Sequence, residues 1–137
     1  MKDQHYDFHH DIAIEHDYLL LPDQTRLFYR IAKQNTAAPL LFFVHGYSDH
    51  SGSFTRIMTW FYQQGYHVGA FDVRGHGKSS GDRGYIDHYD TYSHDFHAIL
   101  CHLKQCCNPT QINLIAHSNG GLITTYYQLT HPTPIYM

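Results

Sequence analysis

The chemical group that stands out in this chain is Ser118, within QINLIAHSNGGL at residues 111–122. Ile112-Asn113-Leu114-Ile115-Ala116 reads as a short buried strand. A helical pattern begins directly after His117-Ser118-Asn119-Gly120-Gly121. A serine on a tight strand-to-helix turn among small residues has the form of a nucleophile elbow, whose strained backbone presents the hydroxyl for attack on a carbonyl. Bulky side chains two positions before or after the serine would clash, and those positions hold Ala116 and Gly120. Glycine at both is the usual pattern, so Ala116 is a mild departure. The competing reading is a strand that ends in an ordinary polar turn.

Attack on an acyl carbonyl builds a tetrahedral intermediate, whose oxyanion needs backbone N–H donors. The Asn119 N–H, next after the serine and at a helix start, is one candidate. The Tyr47 N–H is the other, in the loop His45 to Gly52 that follows the apolar run Leu40–Val44. An ordinary strand end is the alternative for His45-Gly46, and the elbow favours the catalytic reading. A second glycine-rich stretch, VRGHGKSSGDRG from Val73 to Gly84, raises phosphate binding. It contains no GxxxxGK followed by Ser or Thr, and Gly75-His76-Gly77 lacks the third glycine of GxGxxG because position 80 is Ser80. The stretch therefore reads as structural, with Asp72 and Arg74 tying it to neighbouring strands.

Fourteen histidines raise metal binding. They are scattered, with His5, His9 and His10 in a polar N-terminal arm, and there is no HExxH. No metal site is expected. Cys101, Cys106 and Cys107 fall in or at the end of one helical segment, without the second pair that a zinc site needs. An odd count without a secretory signal reads as reduced thiols in a cytoplasmic protein.

The elements that must position these groups follow from periodicity. Residues 1–11 read as a polar arm. Ile12, Ile14 and Tyr18–Leu21 mark a strand, Pro22-Asp23-Gln24-Thr25 a turn, and Arg26–Ala32 a second strand, together an antiparallel hairpin. Leu40–Val44 is continuously apolar, as a strand covered on both faces must be. Phe54, Ile57, Met58, Phe61 and Tyr62 recur at helical spacing, with Ser51 or Ser53 as cap and Gly65 as stop. Tyr66–Asp72 is the next strand. A helix follows over about Tyr89–Cys106, with Tyr89, Tyr92, Phe96, Ile99, Leu100 and Leu103 as its stripe, ended by Asn108-Pro109. The strand leading to Ser118 and a helix from about Gly120 to Leu129 complete the series. A hairpin leading into alternating strands and helices predicts an α/β fold: a mostly parallel sheet with an antiparallel first hairpin and helices on both faces. The loops Gly46–Gly52 and Arg74–Gly84 and the turn at Ser118 then share one rim, where such sheets bind ligands.

Composition bounds the partners. A chain of 137 residues is one domain by its length and long enough to bury a core. A net charge of −3 without a Lys/Arg cluster argues against nucleic acid. The longest apolar run, Leu40 to Val44, is far too short for a transmembrane segment.

Four stretches carry a resemblance to a known group. FVHGYSDHSGSF resembles the oxyanion loop and first helix of an α/β-hydrolase. FDVRGHGKSSGDRGYI resembles the D-x-R-G-H-G-x-S-x-G-x-R-G loop of the lysophospholipase and monoacylglycerol-lipase-like group, also catalogued as serine aminopeptidase-like. The helix with Tyr92, Asp95 and Leu103 fits next, and LIAHSNGGLI resembles the elbow, with Asn119 where methionine is common. The resemblance covers roughly residues 12 to 135. It implies the N-terminal part of an α/β-hydrolase, with Ser118 as nucleophile, Tyr47 and Asn119 as oxyanion donors, no cofactor, and acylglycerols, lysophospholipids or other carboxylic esters as substrates. It also implies transient contact with a membrane surface.

In this fold the order is Ser, then Asp or Glu, then His. The residues after Ser118 contain no Asp or Glu and one histidine, His131, too early for the family's base. Pro134-Ile135-Tyr136-Met137 falls where a sixth strand would begin. Residues 12–137 thus read as a partial α/β-hydrolase domain, truncated before that strand. The Ser118 strand then has an exposed edge open to association. Two functional readings follow: a serine hydrolase of carboxylic esters, incomplete as given, or an inactive remnant or binding module of the same fold. A different reaction on the same fold, such as thioester or carbon–carbon cleavage, is a third.

Overall fold

The computed structural model describes residues 12–131. The arm at 1–11 and the expected strand start at Pro134–Met137 lie outside them. Five strands form one sheet: β1 (Glu15–Leu20), β2 (Arg26–Ala32), β3 (Leu40–Val44), β4 (His67–Phe71) and β5 (Ile112–Ala116). Their order is β1-β2-β4-β3-β5. The β1–β2 and β2–β4 pairs are antiparallel, and β3 runs parallel to both β4 and β5.

Strands β3 and β4 are buried at every position, because helices cover both faces. Leu40, Phe42 and Val44 pack with α2 (Tyr89–Cys107) and α3 (Asn119–Thr130), through Phe96, Ile99, Leu100, Leu103, Ile123 and Tyr127. Leu41 and Phe43 face the other way, against Met58 of α1 (Thr55–Gln63) and against Val68 and Ala70. Phe42 stacks between Phe71 and Phe96, at 5.7 and 5.8 Å between centroids. Each fully buried side chain of this kind contributes roughly 1.5–3 kcal/mol. The continuous apolar run in the sequence is thus two half-runs, one for each helical layer.

The segment ends depart from expectation in two places. Neither Ser51 nor Ser53 caps α1. A single 3-10 turn, Ser51–Phe54, comes first, and His50 caps it by accepting the Gly52 N–H on Nδ1 at 3.0 Å. The Ser51 N–H is already committed to Asp72, and Ser53 Oγ donates to Asp49. Helix α2 ends through Asn108 itself, which adopts the left-handed conformation at φ 43 and donates its N–H to the Lys104 carbonyl. Pro109 follows the stop rather than making it. Helix α1 ends at Gln63, and Gly65 at φ 102 turns the chain toward β4, as the sequence predicts.

Candidate active site

Strands β3, β4 and β5 end level. Val44 stands opposite Phe71 on one side and Ala116 on the other. The loops that leave them therefore meet at one rim, as the sequence predicts.

Ser118 sits between β5 and α3 with φ 56 and ψ −119. A non-glycine residue at positive φ is strained, and the strain is held here by close packing on both sides. A Cβ on Gly120 would lie 2.4 Å from the Val44 carbonyl oxygen and 2.6 Å from that of His45. No side chain fits there, so α3 begins in direct backbone contact with the end of β3. A Cβ on Gly46 would meet the Ser118 Cβ and the His117 carbonyl at 3.2 Å. The loop after β3 thus passes against the serine at Gly46, and Tyr47 is the next residue. Ser118 is exposed and its side chain makes no capping hydrogen bond. Asn119 is the first residue of α3, so its N–H belongs to the first turn, which has no intrahelical acceptors. A cleft of about 550 Å³ adjoins Ser118, lined by Asn119, Gly121, Leu122 and Thr125.

The loops behind the rim are tied by buried polar groups. His45 is 1% exposed; its Nε2 accepts the Val73 N–H at 2.9 Å and its Nδ1 faces the Gly46 carbonyl at 2.7 Å. These partners fix the tautomer with the proton on Nδ1. Burial pushes the His45 pKa down, so this imidazole is a neutral clamp between β3 and the glycine-rich loop. Asp72 is fully buried and accepts the Ser51 N–H at 2.7 Å and the Lys78 N–H at 2.8 Å, one on each carboxylate oxygen. Arg74 grips Asp95 of α2 with Nε and Nη2 at 2.8 and 3.0 Å, and Asp23 of the first hairpin with Nη1 at 2.8 Å. The hydrogen bond from Arg74 lowers the Asp23 pKa to about 2, whereas burial pushes the Asp95 carboxyl up. Asp72 and Arg74 are structural ties, but to loops, a helix and a turn more than to strands.

Sequence reasoning missed two contacts. The Asn119 Oδ1 accepts from the Tyr89 hydroxyl at 2.9 Å, which joins the start of α2 to the serine turn. The Tyr47 hydroxyl donates to the Gly84 carbonyl at 2.9 Å, which joins the two loops. Neither pair has a spacing signal. His131 lies at the far end of α3 from Ser118, stacked on His97 at 4.2 Å between centroids. The twelve residues of α3 put roughly 18 Å between the two helix ends. Among the described residues, no group of three or more His, Cys, Asp or Glu side chains could hold a metal ion. No helix among them is long and apolar enough to cross a membrane.

A mixed sheet with this strand order, with a strained serine between strand and helix at its rim, defines an α/β-hydrolase. Within that class the chain belongs to the family described as serine aminopeptidase, S33, which matches residues 35–136. It is similar to a probable lysophospholipase L2 of Haemophilus influenzae, 32% identical over 107 residues, covering 74% of this chain and 34% of the relative. It is also similar to a monoacylglycerol lipase of Mycolicibacterium smegmatis, 32% identical over 89 residues, covering 64% and 31%. Among solved structures, a carboxyl esterase of Bacillus coagulans superposes with a TM-score of 0.76 at 23% identity, covering 90% of this chain and 42% of that one. An esterase of Pyrococcus furiosus superposes at 0.73 with 25% identity, covering 90% and 49%. The chain spans about a third of the length of the two curated relatives named here.

Proposed function

We propose that the chain carries the nucleophile and oxyanion site of a serine hydrolase acting on carboxylic esters of the monoacylglycerol or lysophospholipid kind. The backbone of Ser118 at φ 56, pinned between Gly46 and Gly120, is the observation that carries this reading. In the proposed reaction Ser118 Oγ attacks the ester carbonyl. The Tyr47 and Asn119 N–H groups receive the oxyanion, the ester C–O bond breaks, and the acyl group stays on the serine. Leu122, 59% exposed in the adjoining cleft, gives an acyl chain an apolar wall. The names of the two curated relatives support the substrate class. A lipid substrate implies a transient approach to a membrane surface, and the three free cysteines accord with a cytoplasmic setting.

The mechanism needs a base for the serine proton and an acid for the leaving alkoxide. His131, the one described histidine after Ser118, is at the wrong end of α3, and no described residue is assigned either role. Reaction with a fluorophosphonate probe tests the proposal. Ser118 becomes labelled when imidazole is supplied as an external base, and Ser118→Ala abolishes the labelling. A folded chain that takes no label would favour the second reading, a non-catalytic module of the same fold. A panel of monoacylglycerol, lysophosphatidylcholine and short p-nitrophenyl esters then ranks substrates.

A further inference from the structure

Tyr47 reaches two ways. Its backbone follows Gly46, which touches Ser118, while its side chain extends to the glycine-rich loop. There the hydroxyl donates to the Gly84 carbonyl at 2.9 Å, and the ring stands edge-on to His76 at 5.4 Å and 79°. Gly84 is at φ +68, and a Cβ on it would lie 2.7 Å from the Tyr47 Oη. The far end of the glycine-rich loop is thus shaped around the phenol.

The chain on both sides of Tyr47 is fixed to the same loop. His45 holds the Val73 N–H before it, and Asp72 holds the Ser51 N–H after it. Between those two ties the chain makes a turn in which the Asp49 N–H bonds the Gly46 carbonyl at 3.1 Å and Ser48 takes φ 66. Ser53 Oγ ties the turn to its own helix start through Asp49, and the Tyr47 side chain ties it across to the glycine-rich loop.

We propose that Tyr47 is a positioning residue for the serine site: its hydroxyl, anchored on Gly84, sets where its own backbone N–H stands relative to Ser118. This rests on the oxyanion reading given above. It assigns the glycine-rich loop a role as the scaffold of the donor loop, and it gives Gly84 a reason to lack a side chain.

Tyr47 is 58% exposed, so water competes for the anchor and its effect is moderate. Tyr47→Phe keeps the ring against His76 and removes only the hydroxyl. The second-order rate of Ser118 labelling by a fluorophosphonate should then fall about twofold to tenfold, the span that one net hydrogen bond supports. Any fall in the urea unfolding midpoint should stay within the worth of that one exposed bond, and because labelling is read on the folded chain a merely stabilising role would leave its rate unchanged. Gly84→Ala places a methyl against Oη and should slow labelling similarly. In the Tyr47→Phe background it should slow labelling by less than it does alone, because the 2.7 Å contact with Oη is gone while the ring carbon at 3.3 Å and the positive φ remain. Labelling of Tyr47→Phe at the unsubstituted rate, or independent addition of the two effects, would overturn the positioning role alone. An unsubstituted chain that takes no label would overturn both this role and the proposed function.

Discussion

The turn at Ser118 and the loop from Asp72 to Gly84 leave the two strands that flank β3, at the same rim, yet they are held in opposite ways. The turn is held by contact. Its serine is strained, its hydroxyl makes no capping bond, and a glycine backbone lies directly on the end of β3. The loop is held by hydrogen bonds. Asp72 takes two backbone N–H groups, Ser79 Oγ takes the Phe28 N–H at 2.9 Å, and Arg83 reaches the Gly77 carbonyl at 3.0 Å. Contact leaves the serine hydroxyl open to a ligand, while its neighbours His117 and Asn119 are bonded to Val44 and Tyr89. A region held by hydrogen bonds spends its polar atoms on the fold. The difference separates the candidate reacting group from the frame that supports it.

Two glycines in the turn test the contact side most sharply. Gly120→Ala forces a methyl to 2.4 Å from a carbonyl oxygen. The strand and helix must part, and the loss should reach at least about 3 kcal/mol in urea denaturation, the upper end for overpacking. Gly120→Ala at wild-type stability would mean that the turn is not packed as described. On the hydrogen-bond side, Asp72→Ala strands two N–H groups in a site closed to water. Its expected cost is about 2–4 kcal/mol, again read from urea curves.

Acid should act on the frame before it acts on the turn. Burial lowers the His45 pKa, and burial together with His131 and His94 lowers that of His97. A histidine whose folded pKa lies below its unfolded value of about 6.5 adds no pH dependence above that value. As pH falls below it, the unfolded chain takes up protons that the native chain does not, and stability drops. Thermal unfolding followed from pH 7.5 to 5 should show a falling midpoint. His45→Gln and His97→Gln should each flatten the slope, even where they lower the midpoint at neutral pH. The smallest effect belongs to the neighbouring glycine. A Cβ on Gly121 would have its nearest neighbour, the Ala116 carbonyl oxygen, at 4.0 Å. Gly121→Ala should be neutral or stabilising by up to about 1 kcal/mol, through helix propensity alone. Its contrast with Gly120→Ala, one residue away, isolates contact from composition.

The frame was legible wherever a local pattern had a single physical meaning. LLFFV could only be a strand covered twice, and the stripe from Tyr89 to Leu103 could only be one face of a helix. The Ser118 turn was legible because small residues cluster at fixed offsets from it. The ends were harder. His50 supplies the cap expected of a serine, because Asp72, distant in sequence, had already claimed the Ser51 N–H. The contacts Tyr47–Gly84 and Tyr89–Asn119 were not legible at all. Each joins residues from separate loops and helices, and although the positive φ at 84 calls for glycine, nothing local to either residue names its partner.

Arg74 has a consequence beyond its own loop. One guanidinium holds Asp23 at the tip of the first hairpin and Asp95 in α2, and so links the edge hairpin of the sheet to a helix that packs on its face. In the language of hydrogen exchange, a hairpin and a helix cross-linked in this way are expected to open together. The turn of Ser118 is tied to that same helix through Tyr89 and Asn119, so it is expected to open with the frame rather than apart from it.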